Sequence, residues 1–180
     1  MPPQEYAVVN RECQAVQIPE GTPGLLLPGT RVRILQSLGG SYTVVTERGY
    51  LLRIDESNAD AIGKAPGATH PILTAEGSLE DKIWALLKTC YDPEIPVNVV
   101  DLGLIYNCEV QDLPDGGHRV DIKMTLTAPG CGMGPVLAQD VKTKVESLPG
   151  IRQADVEVVF DPPWNQNMMT DVARLELGLF

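Results

Sequence analysis

Between residues 120 and 126 the chain alternates strictly, with Val120, Ile122, Met124 and Leu126 apolar and Asp121, Lys123 and Thr125 polar. That two-residue period predicts a strand with one face turned to a core. A preceding strand is predicted over 102–110, LGLIYNCEV, joined to it by the hairpin turn Asp115-Gly116-Gly117. Downstream the period changes: Val136, Leu137, Asp140, Val141, Lys144, Val145 and Leu148 share one face of a helix that starts with Pro135 and stops at Pro149-Gly150. Upstream, Ser78-Leu79-Glu80-Asp81 resembles a capping box, and Leu79, Ile83, Leu86 and Leu87 line one side of a helix over 79–89. A third strand over 154–160 and a short helix over 170–177 complete an α-β-β-α-β-α order. The fold class implied is α+β, with helices packed on a small mixed sheet.

The N-terminal third has a different rhythm. Short apolar runs at 6–9, 13–18, 31–37, 42–47 and 50–54 are separated by Pro19-Glu20-Gly21, Pro23-Gly24, Pro28-Gly29 and Gly39-Gly40, the pattern of a small all-β module. Gly29 and its apolar neighbours are read as turn chemistry rather than as a binding groove. Residues 63–77, GKAPGATHPILTAEG, have the composition of a connector. The expected organisation is therefore a β-rich module at 1–62, a linker at 63–77 and an α+β domain at 78–180.

Composition narrows the partners. The 180 residues are 43% hydrophobic and 21% charged, with a net charge of −10, so the surface field opposes nucleic-acid phosphates and anionic lipid. No run approaches the roughly 20 apolar residues of a membrane span, and the first residues lack the basic and apolar regions of a signal peptide. A cytoplasmic location is expected, with no nucleic acid and no membrane as partner. Cysteines 13, 90, 108 and 131 form no Cys-x-x-Cys pair, which argues against a zinc ribbon or a disulfide framework.

The most unusual segment is Thr127-Ala-Pro-Gly-Cys-Gly-Met-Gly-Pro135, where Gly130, Gly132 and Gly134 surround Cys131 between a strand and a helix N-terminus. The positive end of a helix favours thiolate, the form of cysteine that binds metal or attacks an electrophile. Simple burial of a small residue in a turn competes with that reading on even terms. A phosphatase-like cradle needs Arg where Leu137 stands, and a Walker loop needs a lysine that is absent. Neither His70 in the linker nor His118 in the hairpin is promised to Cys131 as a base. Asp92 and Glu94, in the proline-stiffened turn after the first helix, lie close enough to face one point, although Asp-Pro also starts ordinary turns. Asp101, set in VVDLGLIY, is expected to be partly buried and to need a partner such as a backbone N–H.

Taken together, DPEIPVNVVDLGLIY at 92–106, TLTAPGCGMG at 125–134 and FDPPWNQNMMT at 160–170 resemble, in order, the signature blocks of the SufT and PaaD-like iron-sulfur assembly domain. The resemblance covers about 78–177, and residues 1–62 resemble the additional N-terminal module of SufT-like proteins. It implies a non-enzymatic role, within a SUF-type system, in maturing clusters or delivering them to client apoproteins, in contact with the assembly machinery. The family's loop cysteine falls on Cys131, its acidic turn on Asp92, Pro93 and Glu94, and its buried aspartate on Asp101. Thr127, Gly130, Gly132 and Gly134 become supporting loop residues. Of the other cysteines, Cys90 is expected nearest the site.

Chemistry limits this reading, because a stable iron-sulfur cluster is usually held by four thiolates and the loop offers one. Two subunits bring their loops together as a homodimer, or a partner or small thiol completes the shell, or the protein touches a cluster or iron only during transfer. The reading adopted is an exchangeable site with Cys131 as thiolate ligand and Asp92 or Glu94 as oxygen ligands or orienting groups. An adaptor without metal, docking through Pro163-Trp164 and Met168-Met169, is the first alternative. A thiol enzyme ranks below both, since no general base is evident.

Overall fold

A computed structural model describes residues 4–65, 76–92 and 95–179. The chain divides into two compact units, Met1–His70 and Pro71–Phe180.

In the first unit, β1 (Glu5–Val8), β2 (Cys13–Gln17), β3 (Pro23–Leu26), β4 (Arg31–Leu38), β5 (Ser41–Thr46) and β6 (Leu51–Ile54) form one sheet in the order β1-β4-β5-β6-β2-β3. Neighbouring strands all run antiparallel. Val9, Cys13, Val32, Val44 and Ile54 are buried beneath it. Two features depart from expectation. Pro23-Gly24, read as a turn, opens β3, where Pro23 faces Val16 and Gly24 faces Ala15. The strand lies at the end of the sheet, where a residue without an N–H is tolerated. A 3-10 helix, Glu56–Ile62, follows β6 and buries Ala59, Ala61 and Ile62; it is too short to show a helical period. Arg11 clamps it, with Nη2 2.5 Å from Asp60 Oδ1 and 3.3 Å from Asn58 Oδ1. That pairing raises the Arg11 pKa and lowers that of Asp60.

The second unit has the expected order: α1 (Leu79–Leu87), β7 (Ile105–Asp112), β8 (His118–Met124), α2 (Gly134–Glu146), β9 (Ile151–Val158) and α3 (Asp171–Glu176). Ser78 Oγ accepts the Asp81 N–H at 3.1 Å, so the predicted cap is present. Strand β8 is central, antiparallel to β7 and parallel to β9. Ile83, Leu86, Leu87, Val120, Ile122, Met124, Leu137, Val141 and Val145 pack into one core. Asp140 and Lys144, placed by the sequence on the apolar face of α2, are there for a reason. Lys144 Nζ lies 3.8 Å from Asp140 and donates to the Thr89 carbonyl at 2.7 Å, tying α2 to the end of α1. Strand β7 starts three residues later than predicted, because Asn98 to Leu104 is spent on a turn.

Register decides where the motif blocks meet. Ile105 at the start of β7 pairs with Met124 at the end of β8, which pairs with Val158 at the end of β9. The segments flanking those three positions therefore emerge at one end of the sheet. Hydrogen bonds then join two of them: Trp164 Nε1 donates to Leu102 O at 2.7 Å, and the Tyr106 hydroxyl donates to Pro162 O at 2.7 Å. Gly103 has φ +76°, and a Cβ there would lie 2.2 Å from the Met168 carbonyl oxygen. Only glycine permits both the left-handed backbone and the approach.

Gly103→Ala should accordingly destabilise the second unit by about 2 kcal/mol or more. Both tryptophans, Trp84 and Trp164, lie in this unit, so the midpoint of urea unfolding followed by their fluorescence is the measurement. An unchanged midpoint would show that the contact with Met168 does not constrain the turn.

Candidate functional site

The Cys131 loop leaves the C-terminal end of central strand β8. Thr125 N donates to Leu104 O at 2.8 Å, which anchors the start of the loop to the end of the 98–104 turn. At its other end, Gly134 N donates to the Cys131 carbonyl at 3.1 Å and Leu137 N to Met133 O at 2.9 Å, closing the loop into the first turn of α2. No side chain caps that turn, and Pro135 occupies its first positions. Two of the three glycines have distinct steric roles. Gly130 adopts φ +76° with open space around it, whereas a Cβ on Gly134 would come 2.7 Å from Leu126 Cδ1. Gly132 and Thr127 are half-buried within the loop.

Cys131 itself is half-buried, packed against the edge of the core with part of its surface open. It is neither sealed in hydrocarbon nor fully solvated. The remaining thiols are placed otherwise. Cys90, expected nearest the site, is fully buried and donates to Leu86 O at 3.7 Å, the position of a core residue at the end of α1. Burial in the first unit raises the Cys13 pKa. On β7, burial pushes the Cys108 thiol up to about 11, with Glu80 adding to the shift.

The carboxylates divide by role. Asp92 is buried and its Oδ1 accepts the Ile95 N–H at 3.0 Å, closing a local turn. Glu94 lies outside the described residues, as do Pro93 and His70. Asp101 is half-buried as expected, but its partners are side chains rather than a backbone N–H. Asn98 Nδ2 donates to Oδ2 at 2.6 Å and the Thr170 hydroxyl to Oδ1 at 3.2 Å. Asn98 is the residue that sequence reasoning missed: its Oδ1 also accepts from Val100 N at 3.0 Å and Asp101 N at 2.9 Å. The available signal was an Asn three residues before an Asp in an otherwise apolar run. Thr170 caps α3 by accepting from Ala173 N at 3.2 Å while its own N–H donates to Asp101 O at 2.9 Å.

Two alternatives are narrowed by this geometry. His118 begins β8 and pairs with Asp112 at 2.8 Å, about 20 Å from the loop end of a seven-residue strand. It is thereby removed as a base for Cys131. Among the described residues, no three His, Cys, Asp or Glu side chains gather to hold a metal ion. What remains is a single half-buried thiol on a loop anchored at both ends.

Residues 80–158 match the family described as iron-sulfur cluster assembly protein. An Fe-S protein maturation auxiliary factor of Porphyromonas gingivalis is 50% identical over 99 residues, which span 55% of this chain and 90% of that protein. The Fe-S protein maturation auxiliary factor YitW of Bacillus subtilis is 35% identical over 58% of this chain and 98% of its own length. Similarly, the Fe-S protein maturation auxiliary factor SufT of Staphylococcus aureus is 42% identical over 49% of this chain and 96% of its own.

Two measurements check the site's construction. At neutral pH, brief alkylation followed by peptide mass spectrometry should label Cys131 ahead of Cys108, whose thiolate becomes abundant only as pH approaches about 11; preferential labelling of Cys108 would contradict its burial. Thr170→Ala should cost about 1 kcal/mol in urea unfolding, the usual loss for a removed N-cap.

Proposed function

Because the chain belongs to the iron-sulfur cluster assembly protein family, we propose that it is a maturation factor that passes iron-sulfur clusters to recipient proteins through the Cys131 thiolate. The cluster is cargo rather than a resident cofactor. The observation that carries the reading is the convergence of three motif blocks on one sheet end, with a half-exposed sulfur held between a strand and a helix.

The donor set suits an exchangeable hold. One thiolate supplies a quarter of the usual shell, so the donor protein, the recipient or a second copy of this chain brings the remainder. Cys131 enters as one ligand while a donor's ligand leaves, and a recipient thiolate then displaces it. The exchange needs no change in oxidation state. Asp101, Asn98 and Thr170 keep the neighbouring turn rigid, and Asp92 and Glu94 act as orienting oxygen groups at the acidic turn. The role is that of a carrier, and no catalytic residue is assigned. Among the described residues no helix is long and apolar enough to cross a membrane, which suits work in the cytoplasm beside the assembly machinery.

A second reading has its own support. Trp164 and Met169, expected at the docking surface, pack on or in the core instead, but Phe160, Val172 and Leu175 in and after the third motif block are 48%, 58% and 64% exposed, and such a surface suits an adaptor that docks partners without touching the cluster. Anaerobic transfer from a loaded scaffold to an apo-recipient separates the two. Cys131→Ser should slow transfer about tenfold or more with an unaltered unfolding midpoint. Transfer at the parent rate would leave the adaptor reading in its place.

A further inference from the structure

The outer face of the first unit's sheet carries an open groove. Strand register aligns Tyr6 with Arg33 and Val45, and Val8 with Arg31. Residues directly opposite across a pair point to the same side, so these form one face, while Ala7, Val32 and Val44 point to the core. The face is open: Tyr6 is 65% and Val8 56% exposed. A groove of about 680 Å³ runs over β1, β4 and β5, lined by these residues and Glu47. It adjoins a second, of about 490 Å³, that shares Arg31 and Glu47 and reaches Gly29 and Tyr50.

Charge sets this groove apart. The chain as a whole carries −10, yet here two guanidiniums stand beside one carboxylate. Arg31 lies 3.8 Å from Glu47, an exposed pair of little strength. Arg33 makes no ion pair and no side-chain hydrogen bond among the described residues, although it is half-buried. A half-buried guanidinium between apolar side chains fits a partner that supplies a carboxylate and covers hydrocarbon together. β1 also ends the sheet, so one of its backbone edges has no strand partner among the described residues, which suits an extended segment.

We propose that the face of β1, β4 and β5 binds an extended acidic segment of another protein, whose carboxylates meet Arg31 and Arg33 and whose apolar side chains cover Tyr6, Val8 and Val45. A polyphosphate chain is a poorer match, because the groove is apolar between only two cations and a polyphosphate has no hydrocarbon with which to cover it. The surface lies outside residues 80–158 that match the family. It therefore goes beyond the cluster-handling reading and does not rest on it.

The probe is a short, soluble, fluorescein-labelled peptide of repeating Glu-Glu-Val-Val, so that each face of the extended chain presents both residue types, titrated with the full chain and followed by anisotropy. Saturable binding is expected, weakening with added salt. The double variant Arg31→Ser/Arg33→Ser should weaken it about tenfold or more, equivalent to about 1.4 kcal/mol, and Arg31→Lys/Arg33→Lys should restore part of it. Both variants should keep the parent unfolding midpoint, since the side chains face outward, and Cys131→Ser should bind the peptide as the parent does. Absence of saturable binding, equal binding by the serine variant, or tighter binding of a single-stranded RNA of matching length would overturn the proposal. So would a parent dimer that the serine variant abolishes, which would assign the face to a second copy.

Discussion

Pairing of β8 with β7 on one side and β9 on the other is the constraint from which the rest of the second unit follows. Because β7 runs against β8 and β9 runs with it, the start of the first coincides with the ends of the other two at Ile105, Met124 and Val158. A one-residue slip would send Val120, Ile122 and Met124 to the wrong face, so burial of those side chains holds the register. The same burial brings together three segments separated by up to about seventy residues of chain. A parallel pair with its connecting helix leaves its loop at the carboxyl end of the strands, where open α/β sheets characteristically present ligands.

Several residues of the three blocks serve that convergence. Gly103, Trp164 and Tyr106 lock the third block to the first, and Asn98 with Asp101 and Thr170 joins a turn to a helix cap. Leu104 accepts from Thr125 and thereby ties the first block to the second. An unusual run of Asp, Gly, Asn and Trp can thus be explained by close backbone approach and buried polar groups that must find partners. Cys131 is the residue such accounting leaves over. Its loop is anchored at both ends, its sulfur packs half-buried against the core, and among the described residues it makes no hydrogen bond like that of Cys90 to Leu86. The proposed hand-over of a cluster rests on that thiol.

The first unit has a hydrophobic core of its own around Val9, Cys13, Val32, Val44 and Ile54. Its surface solves a different problem: a sheet with exposed apolar side chains beside arginines, in an acidic protein, is poorly matched to water alone.

Local and periodic features were fully present in the sequence. Alternation specified β8, the capping serine specified the start of α1, and Pro135 with its apolar stripe specified α2, because those signals arise from neighbours along the chain. The candidate thiol was also evident, since a cysteine among three glycines is visible without coordinates. Strand β3 and the 3-10 helix at 56–62 were not, for Pro23-Gly24 reads locally as a turn and one short helical segment has no period to detect. The turn that Asp92 closes was legible in its Asp-Pro pair, but the sequence could not say that Asp101 is held by Asn98 and Thr170 or that Cys90 lies in the core. Those outcomes depend on groups brought together by folding, and only the tertiary arrangement supplies the distances on which hydrogen bonds and burial turn.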